Sequence, residues 1–163
     1  MPIRAAVLTV SDKASRGERV DTAGPAVVAI LARHGIEVGQ TAVVPDEQDE
    51  IADLLETLSD GGEDLIVTTG GTGLALRDVT PEATLEVIDR EVRGMAELMR
   101  EAGRRYTPMA ALSRGVVGTR GKTLIVNLPG SEKGAGESLE AIVALIPHAV
   151  ELLRGDAGET HPA

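Results

Sequence analysis

Apolar residues run almost without a break from Ile3 to Val10 (Ile-Arg-Ala-Ala-Val-Leu-Thr-Val), the pattern of a strand covered on both faces. Ser11 to Gly17 is polar and reads as a loop. Val27, Ile30, Leu31 and His34 then recur at helical spacing. Their helix should open between Asp21 and Pro25, with Thr22 as cap, and end at Gly35. Val38 to Val44 reads as a second strand. Pro45-Asp46-Glu47 opens a second helix with the stripe Ile51, Leu54, Leu55 and Leu58, closed by Gly61-Gly62. Leu65 to Thr69 is a third, buried strand. Thr80 is the natural cap, and Pro81 the first residue, of a helix running towards Ile88. Met95, Leu98, Met99 and Ala102 mark one face of another helix between Gly94 and Arg105, and Pro108 to Leu112 forms a short helical turn. Val116–Gly118 and Thr123–Asn127 flank Thr119-Arg120-Gly121-Lys122 as a hairpin. The last helix carries Leu139, Ile142, Val143, Ile146, Val150 and Leu153, and Pro147 should kink or restart it. Residues 1–154 make one domain, and 155–163 read as a flexible tail.

Strands separated by helices imply βαβ units, hence an α/β fold with a mainly parallel sheet between layers of helices. Ligands of such sheets sit beyond the carboxyl ends of the strands. Four strand ends carry unusual polar chemistry: Ser11-Asp12 and its loop, Asp46, Gly70 to Asp78, and Asn127 to Ser131. In a parallel sheet these ends share one rim.

Composition narrows the possible guests. The chain has 163 residues, enough for a single core that buries roughly 70% of the unfolded surface. Trp and Phe are absent and Tyr106 is the only aromatic residue, which argues against base-stacking platforms and membrane belts. The net charge of −10 disfavours nucleic acid and anionic membranes. Without cysteine there is no disulfide, thiolate nucleophile or Cys-based zinc site. With no signal-peptide pattern and no membrane-length apolar run, a cytoplasmic protein is expected.

The richest stretch is Gly70-Gly71-Thr72-Gly73. Its three glycines let backbone N–H groups approach an anion closely, and Asp78 adds a carboxylate nearby. An anion cradle beside a carboxylate suits a magnesium-bound phosphate, although a plain strand-to-helix turn would also use the glycines. Gly121-Lys122-Thr123 is not a Walker A loop, because Val116 stands where the first glycine belongs. Gly71-Thr72-Gly73 is not a dinucleotide fingerprint, because Leu76 occupies the third glycine position. Asp46 sits where a helix cap belongs, with Asp49 three residues on, so capping competes with a functional role. Asp12 is similarly open to a turn-forming role. Ser113 is a weak candidate, and Asn127 could offer a heterocycle one donor and one acceptor. Arg16, Arg77, Arg114 and Lys133 lie beside these loops and could reach phosphates or remain solvated. His34 suits a helix end, and neither His148 nor His161 has a metal or triad partner pattern.

Taken together, Val7-Leu8-Thr9-Val10-Ser11-Asp12, Asp21-Thr22-Ala23-Gly24-Pro25, Val44-Pro45-Asp46-Glu47, Thr68 to Gly73, Asp78-Val79-Thr80-Pro81-Glu82-Ala83, Ser113-Arg114-Gly115 and Asn127-Leu128-Pro129-Gly130-Ser131 resemble the molybdopterin adenylyltransferases of the MogA/MoaB type, in order and over nearly the whole chain. The resemblance implies a three-layer α/β/α sandwich that assembles as a homotrimer, with hexameric relatives. It implies transfer of AMP from ATP to the terminal phosphate of molybdopterin with release of pyrophosphate, and a downstream molybdenum-insertion protein as a further partner. By motif, Asp46 and Asp78 resemble the acidic pair associated with Mg2+ and catalysis. Thr72, Ser113 and Asn127 match positions that hold the pterin. Ser11, Asp12, Ser15 and Gly17, with Gly70, Gly71 and Gly73, match the phosphate surround, and Pro129, Gly130 and Ser131 line the same cleft. Ala23 departs from the Ser that relatives often carry.

This chemistry agrees with the residues. Two charges 4 Å apart repel by about 1 kcal/mol in water and about 4 kcal/mol at an effective dielectric near 20, so joining two phosphates calls for a cation and a fixed geometry. Two alternatives stay open: a catalytically weak molybdopterin-binding paralogue or scaffold, and a nucleotide-binding domain with another substrate.

Overall fold

The computed structural model describes residues 1–156. Six strands form one sheet: β1 (Ala5–Val10), β2 (Val38–Val44), β3 (Leu65–Thr69), β4 (Arg90–Glu91), β5 (Val117–Arg120) and β6 (Thr123–Leu128), in the order β2-β1-β3-β6-β5-β4. The pairs β1–β2, β1–β3 and β3–β6 are parallel, while β4–β5 and β5–β6 are antiparallel. The expected α/β sandwich with a mainly parallel sheet is therefore present. The hairpin at Gly121 closes as expected, but the two-residue strand β4 has no signal in the hydrophobic pattern.

The continuous apolar runs explain the central strands. Every residue of β1, β3 and β6 is buried, and successive side chains enter different cores, as the two-residue period of a strand requires. Ala5, Val7, Leu65, Val67, Leu124, Val126 and Leu128 pack into one layer. It is completed by α2 (Ala23–Arg33), α5 (Arg93–Arg104), α6 (Glu132–Ile142) and α7 (Ile146–Arg154). Ala6, Leu8, Val10, Ile66 and Ile125 face the other layer, built from α3 (Gln48–Asp60) and α4 (Thr80–Val87). β2 is an edge strand, and all of its residues are exposed or half-buried.

Several local expectations change. Ser11 to Gly17 is not all loop: Asp12–Ser15 forms a single helical turn, α1, with the Ser11 hydroxyl accepting from Ala14 N. Thr22 holds the cap position of α2 without a side-chain bond. Asp21 does that work, accepting from Gly24 N at 3.0 Å. The buried stripe of α5 is Met95, Ala96, Met99 and Gly103, while Leu98 is exposed and Ala102 half-buried. At Pro147 the helix does restart, after a 3-10 turn at Val143–Leu145. Gly155 caps α7 in the left-handed conformation (φ 80°), and the expected tail beyond Asp156 lies outside the described residues.

From β1 the chain moves outward to β2, returns across β1 to β3, then crosses to the far edge at β4 and comes back through β5 to β6. The order thus switches direction between β1 and β3, the place where sheets of this type open a crevice.

Candidate active site

At that switch point the loops after β1 and β3 touch. Gly70 has φ +94°, and a Cβ there would lie 2.2 Å from the Val10 carbonyl oxygen. Gly71 has φ +68°, and its Cβ would meet the Thr80 hydroxyl at 2.3 Å and Asp46 Oδ1 at 3.2 Å. Both positions demand glycine for conformation and for space.

A buried network fixes this loop from beneath. The Thr80 hydroxyl donates to Gly70 O, and Thr84 donates to Thr80 O. Asn127 Nδ2 donates to the hydroxyls of Thr68 and Thr84, while its Oδ1 accepts from Val116 N. Two expectations are corrected here. Thr80 does not cap α4, whose cap position is Val79. Asn127 lines the cleft but has no free amide edge: its oxygen and nitrogen are already engaged with protein, so it braces the floor. Burying these groups unpaired would cost about 1–3 kcal/mol each, which explains why they bond to one another.

Asp46 likewise does not cap α3; Glu47 holds that position without a cap bond. Instead Asp46 Oδ2 accepts from Asp12 N at 2.9 Å, and Asp12 Oδ1 accepts from Asp46 N at 3.0 Å. Arg77 holds Asp12 with two bonds, Nε to Oδ2 at 2.9 Å and Nη2 to Oδ1 at 3.0 Å, and also reaches Glu47. The guanidinium keeps the Asp12 carboxyl down at about 2. Asp46 is pushed above its ordinary value, first by burial and then by the neighbouring charges of Asp12 and Asp78. Asp78 closes its own loop by accepting from Ala75 N at 3.1 Å.

The cleft has two lobes. The first, about 420 Å³, runs from Gly71, Thr72, Gly73 and Asp78 past Ser113 and Asn127 to Pro129, Gly130 and Ser131, with Met99, Met109 and Leu112 on its apolar side. The second, also about 420 Å³, is bounded by Ser11, Asp46, Gly70, Gly71, Asp78, Gly130 and Ser131. Gly71, Asp78, Gly130 and Ser131 belong to both, so the lobes meet at Asp78. Asp12 stands behind Asp46. Ser15 bonds to the Asp12 carbonyl, and Gly17 ends α1; neither lines a lobe.

The basic residues are held by protein partners. Arg114 donates to Gly73 O and Asp78 O and pairs with Glu82, clamping the glycine loop. Arg16 pairs with Glu18, and Lys133 sits over Tyr106. Sequence reasoning missed Arg19, Asp21 and Thr69 in the second lobe, and Arg100, Glu137 and Ser138 in the first. Asp21 stood in a recognised motif but read only as a helix start. Arg100 and Glu137 look like ordinary charges on amphipathic helices.

A cation would find two carboxylates here. Each has one oxygen bonded to a backbone N–H, and among the described residues the other oxygen of each makes no hydrogen bond. No group of three or more His, Cys, Asp or Glu is arranged to hold a metal among the described residues. The donor set therefore fits Mg2+, which takes one or two carboxylates and completes its shell with water and substrate phosphates.

A family model described as "Probable molybdopterin binding domain" matches residues 6–148. The chain belongs to the molybdopterin-binding domain family. Its relatives include the molybdopterin adenylyltransferase of Helicobacter pylori (strain J99), 43% identical over 157 residues, covering 94% of this chain and 89% of that one. The Drosophila melanogaster molybdenum cofactor synthesis protein cinnamon is 43% identical over 155 residues, 92% of this chain but 25% of the longer relative. The crystal structure of the molybdopterin biosynthesis enzyme MoaB from Thermus thermophilus superposes with a TM-score of 0.89 at 58% identity, covering 94% and 97% of the two chains. In this member of the family the cleft lies where the order of the sheet switches direction. No described helix is long and apolar enough to cross a membrane.

Proposed function

We propose that this protein acts in molybdenum cofactor biosynthesis as a molybdopterin adenylyltransferase, joining AMP from Mg-ATP to the terminal phosphate of molybdopterin. The observation that carries this reading is the meeting of two lobes at Asp78 and the glycine loops, one lobe with an apolar side suited to a pterin and the other rimmed by Ser11 and Asp46. Relatives named molybdopterin adenylyltransferase support the same activity.

The pterin phosphate oxygen attacks the α-phosphorus of ATP. A P–O bond forms, the bond from the α-phosphorus to the bridging oxygen breaks, and pyrophosphate leaves. Gly70 N already donates to Leu128 O, so the backbone N–H groups that follow it, from Gly71 to Gly73, would hold the reacting phosphates in line, which saves orientational entropy. Asp46 and Asp78 would hold Mg2+, whose charge offsets the repulsion between the two substrates. Asp12 and Arg77 position Asp46 from behind, and Arg114 fixes the loop carrying Asp78. Ser11, Gly70, Gly71, Gly130 and Ser131 surround phosphate. Thr72, Gly73, Ser113 and Pro129 border the pterin, with Asn127 beneath them.

The reading includes a cytoplasmic location, where ATP is at hand. Leu74 and Leu76 are exposed on the loop that follows the glycines, apolar surface that a homotrimer would cover. The adenylylated product would pass to a molybdenum-insertion protein. Incubating the purified protein with molybdopterin and Mg-ATP tests the proposal: adenylylated pterin and stoichiometric pyrophosphate are expected. Pterin binding without either product would leave a binding paralogue, and ATP turnover without pterin affinity would point to another substrate. Light scattering tests the trimer.

A further inference from the structure

Glu137 lies on α6 and lines both the first lobe and a neighbouring cavity of about 430 Å³ between α2, α5 and α6. Its side chain is only 15% exposed. Its Oε1 is buried and makes no hydrogen bond among the described residues. Lys133 Nζ comes no closer than 3.9 Å, beyond hydrogen-bond reach, and that lysine is itself exposed and sits over the Tyr106 ring. A buried carboxylate oxygen without a donor is costly, so its place in a ligand-sized lobe points to a donor brought by the ligand.

Four other polar side chains of the lobe are engaged with protein or lie at its far end. The Asn127 amide is engaged with Val116, Thr68 and Thr84. Arg100 donates to Gly115 O, at 3.0 Å, and Ser113 Oγ lies 3.4 Å from Gly115 N. Asp78 stands at the junction with the second lobe, where the phosphates are placed.

We propose that Glu137 is the specificity-determining residue for the ring system: its carboxylate receives the adjacent N3–H and 2-amino N–H of a 2-amino-4-oxopteridine. The inference rests on reading the first lobe, the one with the apolar side, as the pterin lobe. Two parallel N–H donors match the two oxygens of a carboxylate as a guanidinium does. Adenine has no such pair: beside its amino group lies a ring nitrogen whose lone pair would oppose the carboxylate. Glu137 therefore also keeps ATP out of the pterin lobe, and discrimination of this kind is strong because a mismatch leaves buried groups unpaired.

The test compares 6-hydroxymethylpterin with 6-hydroxymethyllumazine, in which an oxo group replaces the 2-amino group. Binding is read from the probes' own fluorescence, against a chain whose only aromatic residue is Tyr106. The wild-type protein should prefer the pterin by about tenfold or more, the scale of one hydrogen bond to a charged group. Glu137→Gln should erase or reverse that preference, because its amide donates to the lumazine oxo group while accepting from N3–H. Equal wild-type affinity for the two probes, or an unchanged pterin preference in Glu137→Gln, overturns the assignment while leaving the pterin lobe in place. Failure of the wild-type protein to bind either probe overturns the lobe reading as well. The wild-type comparison needs no variant to fold.

Discussion

Asp12 and Asp46 each accept a hydrogen bond from the other's backbone N–H, at 2.9 and 3.0 Å. This reciprocal bracket ties the end of β1 to the end of β2 and holds two carboxylates near each other, with Arg77 offsetting the repulsion. Asp12→Ala should lower kcat by about tenfold through misplacement of Asp46, with a smaller effect on pterin affinity. The Asp12 carboxyl is held at about 2, below the ordinary value. The contribution of the Asp12 carboxylate, chiefly through Arg77, is therefore complete above the unfolded carboxylate value and lost as pH falls through about 2, whereas the raised Asp46 works in the opposite sense. In Arg77→Met, NMR titration should find Asp12 at a higher value; an unmoved titration would show that Arg77 is not its cause.

Asp78→Asn keeps the side chain's shape and its acceptor for Ala75 N but removes the charge at the junction of the lobes. Turnover should fall by about 10²-fold or more while 6-hydroxymethylpterin affinity stays within about threefold. Unchanged turnover would remove Asp78 from catalysis.

The glycines separate strain from contact. Gly35 has φ +77° with nothing within 4 Å of an added Cβ, so Gly35→Ala should cost about 1–2 kcal/mol and leave activity intact. Gly71→Ala meets both a positive φ and the Thr80 hydroxyl, and should cost about 2–5 kcal/mol with loss of activity. Denaturant melts and pyrophosphate release would distinguish the two. Equal effects would mean that the crowding at Gly71 relaxes freely.

Acid sensitivity is expected at the opposite rim. Burial raises the Asp64 carboxyl, but the bonds from Arg154 and from Arg4 N outweigh it, so its value lies below ordinary. A depressed carboxyl contributes stability above its unfolded value and loses it as pH falls through the folded one. Arg154→Met should destabilise by about 2–4 kcal/mol at neutral pH, and the gap from wild type should narrow on acidification. A pH-independent gap would assign the loss to packing.

The sequence made the core strands legible because β1, β3 and β6 are buried on both faces, leaving unbroken apolar runs. It placed the polar strand ends on one rim for the same reason. What it could not resolve was which polar group bonds to which. Asp46 and Thr80 sit at cap positions by spacing, yet their partners, Asp12 and Gly70, come from other loops and exist only once the sheet is assembled. Asn127 looked available because its contacts with Val116, Thr68 and Thr84 are set by tertiary packing. Leu98 fitted the helical stripe of α5 but falls on its outer edge, a distinction that periodicity alone draws poorly.

Arg154 also bonds to the carbonyls of Met1 and Pro2, as well as to Asp64. The start of the chain and the end of α7 are therefore clasped together below the sheet, on the side away from the cleft. A domain closed in this way can be spliced in line into a longer polypeptide, entering and leaving through one doorway, while its reactive face stays open to traffic between neighbouring modules.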